Sequence, residues 1–321
     1  INKRNKNTPS ACGGDFYYRN NFMLTMRMPE KLESILILIF LGFAWGAGYS
    51  IAHFVTRHGV SAVTFSFYIS MGPAILLLLF VRIRKLSFGF SWQYWRYYLL
   101  AGVLGVVIPN TNMYLVSSHL PAGILAMIAN VTPMIVYPLA LFARQERFQW
   151  LRFLGVLFGI LSIVIITLPV AKFQELTTVY WMLLALISPL SFAASIVYIA
   201  KYRPANSNSL VLSAGMLLVS AAMLLPITIF FGYRAFNISL SDWVTWVVLL
   251  QIILSSVGTV LLFYLIKIAG PVYFSFTSSL VVLAGVFWGW LFFSENFSVS
   301  IVLSLISILS AMVLVTMTKR S

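Results

Sequence analysis

The sequence carries little charge and very few acidic residues. Charged side chains make up 9% of the 321 residues, and only seven residues are Asp or Glu. A soluble domain needs about 25% charged residues to cover its surface, so this composition excludes a soluble globular protein. Lys and Arg give a net charge of +14. They stand in short segments between apolar runs rather than on one solvated face, which excludes a groove for nucleic acid.

Cysteine and the signatures of catalysis are also scarce. The one cysteine, Cys12, cannot form an internal disulfide. The sequence lacks the H-E-x-x-H and G-x-S-x-G motifs of metalloproteases and serine hydrolases, and no acidic residue falls near the middle of an apolar run. His53, His58 and His119 do not have the spacing of zinc ligands. We therefore expect no enzyme, no cofactor and no metal site.

Long apolar runs are what the sequence has in abundance. Hydrophobic residues make up 61% of the chain, and each run is close to the roughly 20 residues that a helix needs to cross a bilayer. Divided at charged and turn-rich breaks, the runs predict an all-α membrane protein with ten transmembrane helices. The predicted helices are 34–55, 61–81, 97–118, 121–142, 150–169, 178–200, 208–232, 243–266, 271–293 and 298–317.

The positive charges predict the direction of these helices, because cytoplasmic loops carry an excess of Lys and Arg. With a cytoplasmic N-terminus, the outer loops hold only Arg57, Lys172 and Arg234. We therefore expect a multi-pass protein of the bacterial inner (cytoplasmic) membrane with both termini in the cytoplasm. The inner segments then hold Arg82, Arg84, Lys85, Arg96, Arg144, Arg147, Arg152, Lys201, Arg203, Lys267, Lys319 and Arg320.

The first segment of the chain, residues 1–31, has a different composition. It is polar, basic and contains glycine, and it comes before the first apolar run. We expect this tail to be partly non-native, with the natural start at Met23, Met26 or Met28.

The chain repeats itself at half its length. "YLVSSHLPAG" begins at Tyr114 and "YLIKIAGPVY" at Tyr264, and in each a proline follows seven residues after the tyrosine. This echo divides the chain into two five-helix repeats, 32–170 and 171–321. Because five is odd, the second repeat enters the membrane from the opposite side. Inverted repeats around a central cavity are typical of secondary transporters.

Several stretches of the two repeats resemble a known family. In the first repeat they are "AWGAGYS" in the first predicted helix, "GVLGVVIPNTNMYLVSSHLPAGILAMIANVTPMIVYPLALF" in the third and fourth, and "ERFQWLRFLGVLFGILSIVII" before and in the fifth. The second copy runs from "YLIKIAGPVYFSF" to "FFSEN". From about residue 34 to 318 the chain resembles the EamA-type members of the drug/metabolite transporter superfamily. The resemblance implies two inverted five-helix repeats around a cavity that moves small metabolites.

Polar side chains at helical spacing indicate which faces line that cavity, because a polar group in a membrane span should face the protein interior. The faces lie on equivalent helices of the two repeats. They contain the candidate substrate-binding residues Trp45, Tyr49, Asn110, Tyr114, Asn130, Ser191, Ser195, Tyr198, Gln251, Ser255 and Ser278. For each serine, close helix packing is the alternative interpretation. The large amides Asn130 and Gln251 favour the cavity.

The sequence thus predicts a secondary transporter that exports small amphipathic metabolites, such as amino acids or related compounds, by alternating access. Its partners are then a small-molecule substrate and membrane lipid, with no nucleic acid. The oligomeric state is not predicted. Two alternatives stay open, a non-transporting membrane scaffold or receptor and an intramembrane enzyme. Neither alternative explains the inverted duplication.

Overall fold

The computed structural model describes residues 30–117, 119, 120, 125, 128–171, 176–230 and 242–293, together with 302, 303, 306, 307, 310 and 314. The N-terminal tail, most of the fourth predicted helix before Asn130, and most of the tenth lie outside the described residues. So do Cys12, Lys172, Glu175, Arg234 and Glu295.

The described residues form helices and no strands. We number the helices α1 to α12 in chain order, and a single π-helical turn, Val103–Val107, joins α3 to α4. Their bounds are α1 Glu30–Arg57, α2 Ala62–Ile83, α3 Trp92–Gly102, α4 Ile108–Ser117, α5 Thr132–Phe142, α6 Trp150–Ala171, α7 Leu176–Ala185, α8 Ile187–Tyr202, α9 Ser209–Phe230, α10 Trp243–Ala269, α11 Pro271–Ser275 and α12 Thr277–Phe293.

Six stretches are long and apolar enough to cross a membrane, so the chain is a multi-pass membrane protein. They are Leu32–Arg57, Ala62–Ile83, Trp92–Ser117, Val179–Tyr202, Ser209–Phe230 and Trp243–Ala269. Shorter apolar helices cover Thr132–Phe142, Trp150–Leu161 and Pro271–Gly285. The all-α class is therefore confirmed for the described residues, and the count of ten spans stays a prediction.

Two spans are interrupted just before a proline. Pro109 has no N–H to donate and disturbs the helix before it. The π-helical turn Val103–Val107 precedes it, where the Ile108 N–H bonds to the carbonyl of Val103. In the sixth predicted helix, a turn at Leu186 divides α7 from α8 three residues before Pro189. Gly105 and Val106 of the first turn, and Ser188 and Pro189 just after the second, line the cavity described below.

The helices pack in a pattern that repeats in the two halves of the chain. α1, the first helix of the first repeat, packs against α10 and α12 of the second repeat. In the same way α8, of the second repeat, packs against α4 and α5 of the first. α2 packs along its equivalent, α9. The two repeats are therefore interlocked, and most of the buried core lies between them.

Small residues bring the backbones of the two repeats close together. A Cβ built on Gly46 of α1 would lie 2.6 Å from the Cβ of Ala284 in α12. One turn earlier, Gly42 faces Leu280 in the same way. Glycines four residues apart allow this approach, which is the usual means of packing helices in a membrane, where no hydrophobic driving force exists between them.

Candidate functional site

A cavity of about 150 Å³ lies between helices of both repeats. α1, α4, α8, α10, α11 and α12 supply most of its wall. Six of the predicted site residues line it, and they come from both halves of the chain. These six are Trp45, Asn110, Tyr114, Gln251, Ser255 and Ser278.

The polar stripe predicted on α8, which contains Ser191, Ser195 and Tyr198, lies against another helix rather than along the cavity wall. The hydroxyl of Ser191 donates to the Leu104 carbonyl at 2.8 Å, and the hydroxyl of Ser195 donates to the Ala101 carbonyl at 3.4 Å. Tyr198 donates to the Arg96 carbonyl at 3.4 Å. Ser188, about one turn before Ser191 on the same face, does line the cavity, and its hydroxyl donates to the Pro109 carbonyl at 3.0 Å. The hydrogen bonds of Ser191 and Ser195 to backbone carbonyls match the packing interpretation of these serines.

Asn130 lies beneath the cavity wall. It is buried, and its side-chain oxygen accepts a hydrogen bond of 2.7 Å from the Ser279 hydroxyl. Its neighbours Ala129 and Thr132 line the cavity, and the Thr132 hydroxyl donates to the Ala129 carbonyl at 2.7 Å. That carbonyl is the one that Pro133 leaves without a helical partner. The side chain of Tyr49 lies outside the described residues.

Three aromatic rings form one pole of the cavity, and sequence reasoning found only one of them. Trp45 meets Phe192 and Phe274 edge to face, with ring centroids 6.1 Å and 6.0 Å apart. Phe192 and Phe274 are 6.3 Å apart and are also edge to face. A phenylalanine in an apolar helix gives no periodic polar signal, so the search for polar stripes could not find these two rings.

Another part of the described lining is polar but uncharged. Asn110, Gln251 and Ser255 line it together with Thr277, which the sequence analysis did not select. Among the described residues, the Gln251 Oε1 and Thr277 Oγ1 atoms are buried without a hydrogen-bond partner. The described lining contains no Asp, Glu, Lys, Arg or His. The described lining can therefore offer hydrogen bonds and apolar contact but no ion pair.

Two pairs of equivalent residues meet in this region. Trp45 and Phe192 are separated by 147 residues, and their rings are in contact. Asn130 and Ser279 are separated by 149 residues and share a hydrogen bond. Contacts between equivalent positions are expected where a pseudo-two-fold axis passes between two repeats.

We call the end of the bundle that carries Arg96 and Arg203 the basic end. Polar contacts between residues far apart in the sequence hold its helices together. Tyr97 stacks on Tyr198, with centroids 5.7 Å apart, and its hydroxyl donates to the Ile199 carbonyl at 3.3 Å. Arg203 donates to the Phe263 carbonyl at 2.8 Å. Burial lowers the pKa of the Arg203 guanidinium, with a smaller opposing effect from Tyr97. An arginine so placed stays charged at neutral pH.

The family model of the EamA-like transporter family matches residues 32–168 and 179–317. The chain belongs to this family of membrane transporters. The two matches also confirm that it contains two repeats. No curated protein matches this chain. Solved structures do match, and one of them, described only as "Crystal structure of protein", is 15% identical with a TM-score of 0.68. That match covers 88% of this chain and 96% of the other, and it shows the fold alone.

Proposed function

We propose that this family member is a secondary transporter that exports small amphipathic metabolites, such as amino acids or related compounds, by alternating access at the central cavity. The observation that carries the proposal is the meeting of equivalent residues at the cavity, Trp45 with Phe192 and Asn130 with Ser279. Two repeats related by an axis through the binding site can exchange conformations, and this exchange opens the site alternately to each side.

The contacts at the basic end fit one state of such a cycle. They join residues that are not equivalent, such as Tyr97 with Ile199 and Tyr264 with Glu33. Exchange of the two repeat conformations would replace these contacts with different ones. We propose that they close the cytoplasmic side and break when the transporter opens inward.

We further propose that transport follows the substrate gradient without proton coupling. A coupled carrier usually holds a titratable group within its span. The described acidic side chains lie at or near helix ends instead. Glu33 accepts a hydrogen bond from Tyr264, Glu146 forms a buried ion pair with Arg152, and Asp242 caps the start of α10.

Cross-linking the basic end tests alternating access directly. In a Cys12→Ser background, Arg96→Cys and Tyr198→Cys place two thiols at one of its contacts. We expect a reducible thiol cross-linker to stop counterflow of a radiolabelled amino-acid mixture in proteoliposomes, and a reductant to restore it. The matched control is Ser61→Cys with Thr64→Cys, a contact within one repeat, where transport should continue. Counterflow that persists across the Arg96–Tyr198 cross-link would contradict alternating access.

A further inference from the structure

The cavity is lined by a cluster of three aromatic rings and by a set of polar side chains. α1 and α10 run antiparallel, because Gly48 lies against Gln251 whereas Trp45 lies against Gly258. On α8 and α10 the apolar lining residues Phe192 and Leu262 lie nearer the basic end than Ser188 and Gln251, whereas on α12 the polar Thr277 lies nearer that end than Val281. We call Trp45, Phe192 and Phe274 the apolar pole and Asn110, Gln251, Ser255, Thr277 and Ser278 the polar pole.

Two groups at the polar pole have hydrogen-bonding capacity that the described protein does not use. Gln251 is 5% exposed and Thr277 is 2% exposed, and the side-chain oxygen of each has no partner among the described residues. Leaving a buried polar group unpaired is costly, so such groups usually have a partner. An amide offers two donors and an acceptor, which a bound solute can satisfy.

Charge is the chemistry that the described lining of the cavity does not offer. An ion that leaves water needs an opposite charge or several dipoles in compensation, and the described lining contains no side chain charged at neutral pH. Ring faces could attract a cation. Here, however, the three rings meet one another edge to face, at interplanar angles of 71°, 80° and 61°, so faces are already covered by edges.

Building on the proposed transport function, we infer that the substrate is a compact solute without net charge. Its apolar part packs against Trp45, Phe192 and Phe274, and its hydrogen-bonding head pairs with Gln251 and Thr277. The inference narrows the amphipathic class to compounds that carry no net charge, such as amides and alcohols. The volume of about 150 Å³ lies below the usual range of drug-sized pockets, which favours a compact molecule.

Three probes that share one ring and differ in charge test the inference. Benzamide is neutral, benzoate is an anion and benzylamine is a cation at pH 7. We expect benzamide to raise the melting temperature of the purified protein in detergent in a concentration-dependent way, because a ligand that binds only the folded state stabilises it. Benzoate and benzylamine should leave the melting temperature unchanged at the same concentrations.

Variants locate the site. Gln251→Leu should weaken benzamide binding roughly threefold to tenfold, the effect of one lost hydrogen bond, and Thr277→Val should weaken it by a similar or smaller factor. Neither variant should lower the melting temperature without ligand, because neither removes a bond between described residues. Ser256→Ala is the matched control, since Ser256 is buried in the same helix but bonds to the Ile252 carbonyl away from the cavity wall. Its benzamide affinity should equal that of the wild type.

Every outcome separates this inference from the transport proposal. Equal or tighter binding of benzoate or benzylamine, or benzamide binding that survives Gln251→Leu unchanged, would overturn the neutral-solute inference. Absence of benzamide binding would overturn it too, while counterflow of another substrate would leave alternating access standing. Benzamide binding in a protein that shows no counterflow would support the site and contradict transport.

Discussion

Two equivalent helix interfaces in this molecule are built in opposite ways. In one, α8 of the second repeat packs on α3 of the first, and Ser195 lies against Ala101 and Gly105. In the other, α1 of the first repeat packs on α10 of the second, and Gly48 lies against Gln251. The family matches begin 147 residues apart (179 − 32) and end 149 apart (317 − 168), and the sequence echo is 150. Gly48 therefore corresponds to Ser195, and Gln251 to Ala101.

The difference explains where the polar pole lies. In the α8–α3 interface the small partner residues allow the serine hydroxyl to reach a backbone carbonyl, so the contact is closed and its polar group is satisfied. In the α1–α10 interface the positions are reversed. Glycine on α1 makes room for a large amide on α10, and the oxygen of that amide has no partner among the described residues. One interface holds the repeats together, and its counterpart supplies the cavity with hydrogen bonds.

The largest loss of stability is expected when a larger side chain is introduced into the α8–α3 interface. A Cβ on Gly105 would lie 2.5 Å from the Ser195 Oγ, so Gly105→Val should destabilise the protein by about 2–3 kcal/mol through overpacking. The equivalent position on α10 is Ser255, which borders the cavity. Ser255→Val loses the 3.3 Å bond to the Ile69 carbonyl and should cost about 0.6 kcal/mol. Denaturant unfolding in detergent measures both, and equal losses would contradict the contrast between the interfaces.

Sequence reasoning could find this pair of interfaces but could not tell them apart. Helical spacing identified Ser195, Gln251 and Ser255 as polar positions facing the protein interior. Whether a serine meets a carbonyl or a cavity depends on the opposite helix, and the Ser195–Ala101 contact joins residues 94 apart in the chain. No residue near Ser195 in the sequence indicates that Gly105 lies opposite it in the fold. The helices themselves were predictable because each must satisfy its backbone within one apolar run.

The interrupted helices were predictable only in part. Pro109 and Pro189 stand inside the two interrupted spans, yet the breaks fall before them, at Val103–Val107 and Leu186. The break at Phe276 between α11 and α12 has no proline nearby except Pro271, at the start of α11. The third span also begins five residues earlier than predicted, at Trp92 rather than residue 97, because the interfacial aromatic residues continue the helix.

A smaller effect is expected when one interface is given the residue of the other. Ser195→Gly copies Gly48 into the closed interface. It should cost about 1–1.5 kcal/mol, from the lower helix propensity of glycine and the lost hydroxyl contact. Ser256→Gly on α10 carries the same propensity cost and also loses a hydroxyl bond, but that bond lies within its own helix. If the two variants unfold at the same denaturant concentration, the contact between α8 and α3 adds nothing.

The contact between Asn130 and Ser279, which joins the two repeats, should stabilise the protein by about as much as one hydrogen bond. Asn130→Leu removes the acceptor of the Ser279 hydroxyl and should cost about 1 kcal/mol in unfolding free energy. Asn110 is the matched asparagine, since it lines the cavity and is half-buried. Asn110→Leu should be nearly neutral in the same measurement. A larger loss for Asn110 would show that the cavity wall, rather than the pair on the axis, joins the repeats here.

The smallest loss of stability is expected for Ser191, whose hydroxyl contributes to helix packing and not to ligand binding. Ser191→Ala removes the 2.8 Å bond to the Leu104 carbonyl, and an interhelical hydrogen bond in a membrane is worth about 0.6 kcal/mol. The benzamide affinity should not change, because Ser191 is absent from the described lining of the cavity. Ser278→Ala makes the opposite test, since Ser278 lines the cavity while its hydroxyl donates to the Ser275 carbonyl three residues earlier. That variant should keep its unfolding free energy and alter ligand affinity. If Ser191→Ala weakens binding while its stability is unchanged, the stripe on α8 contributes to the site and the α8–α3 interface is not closed in the ligand-binding state.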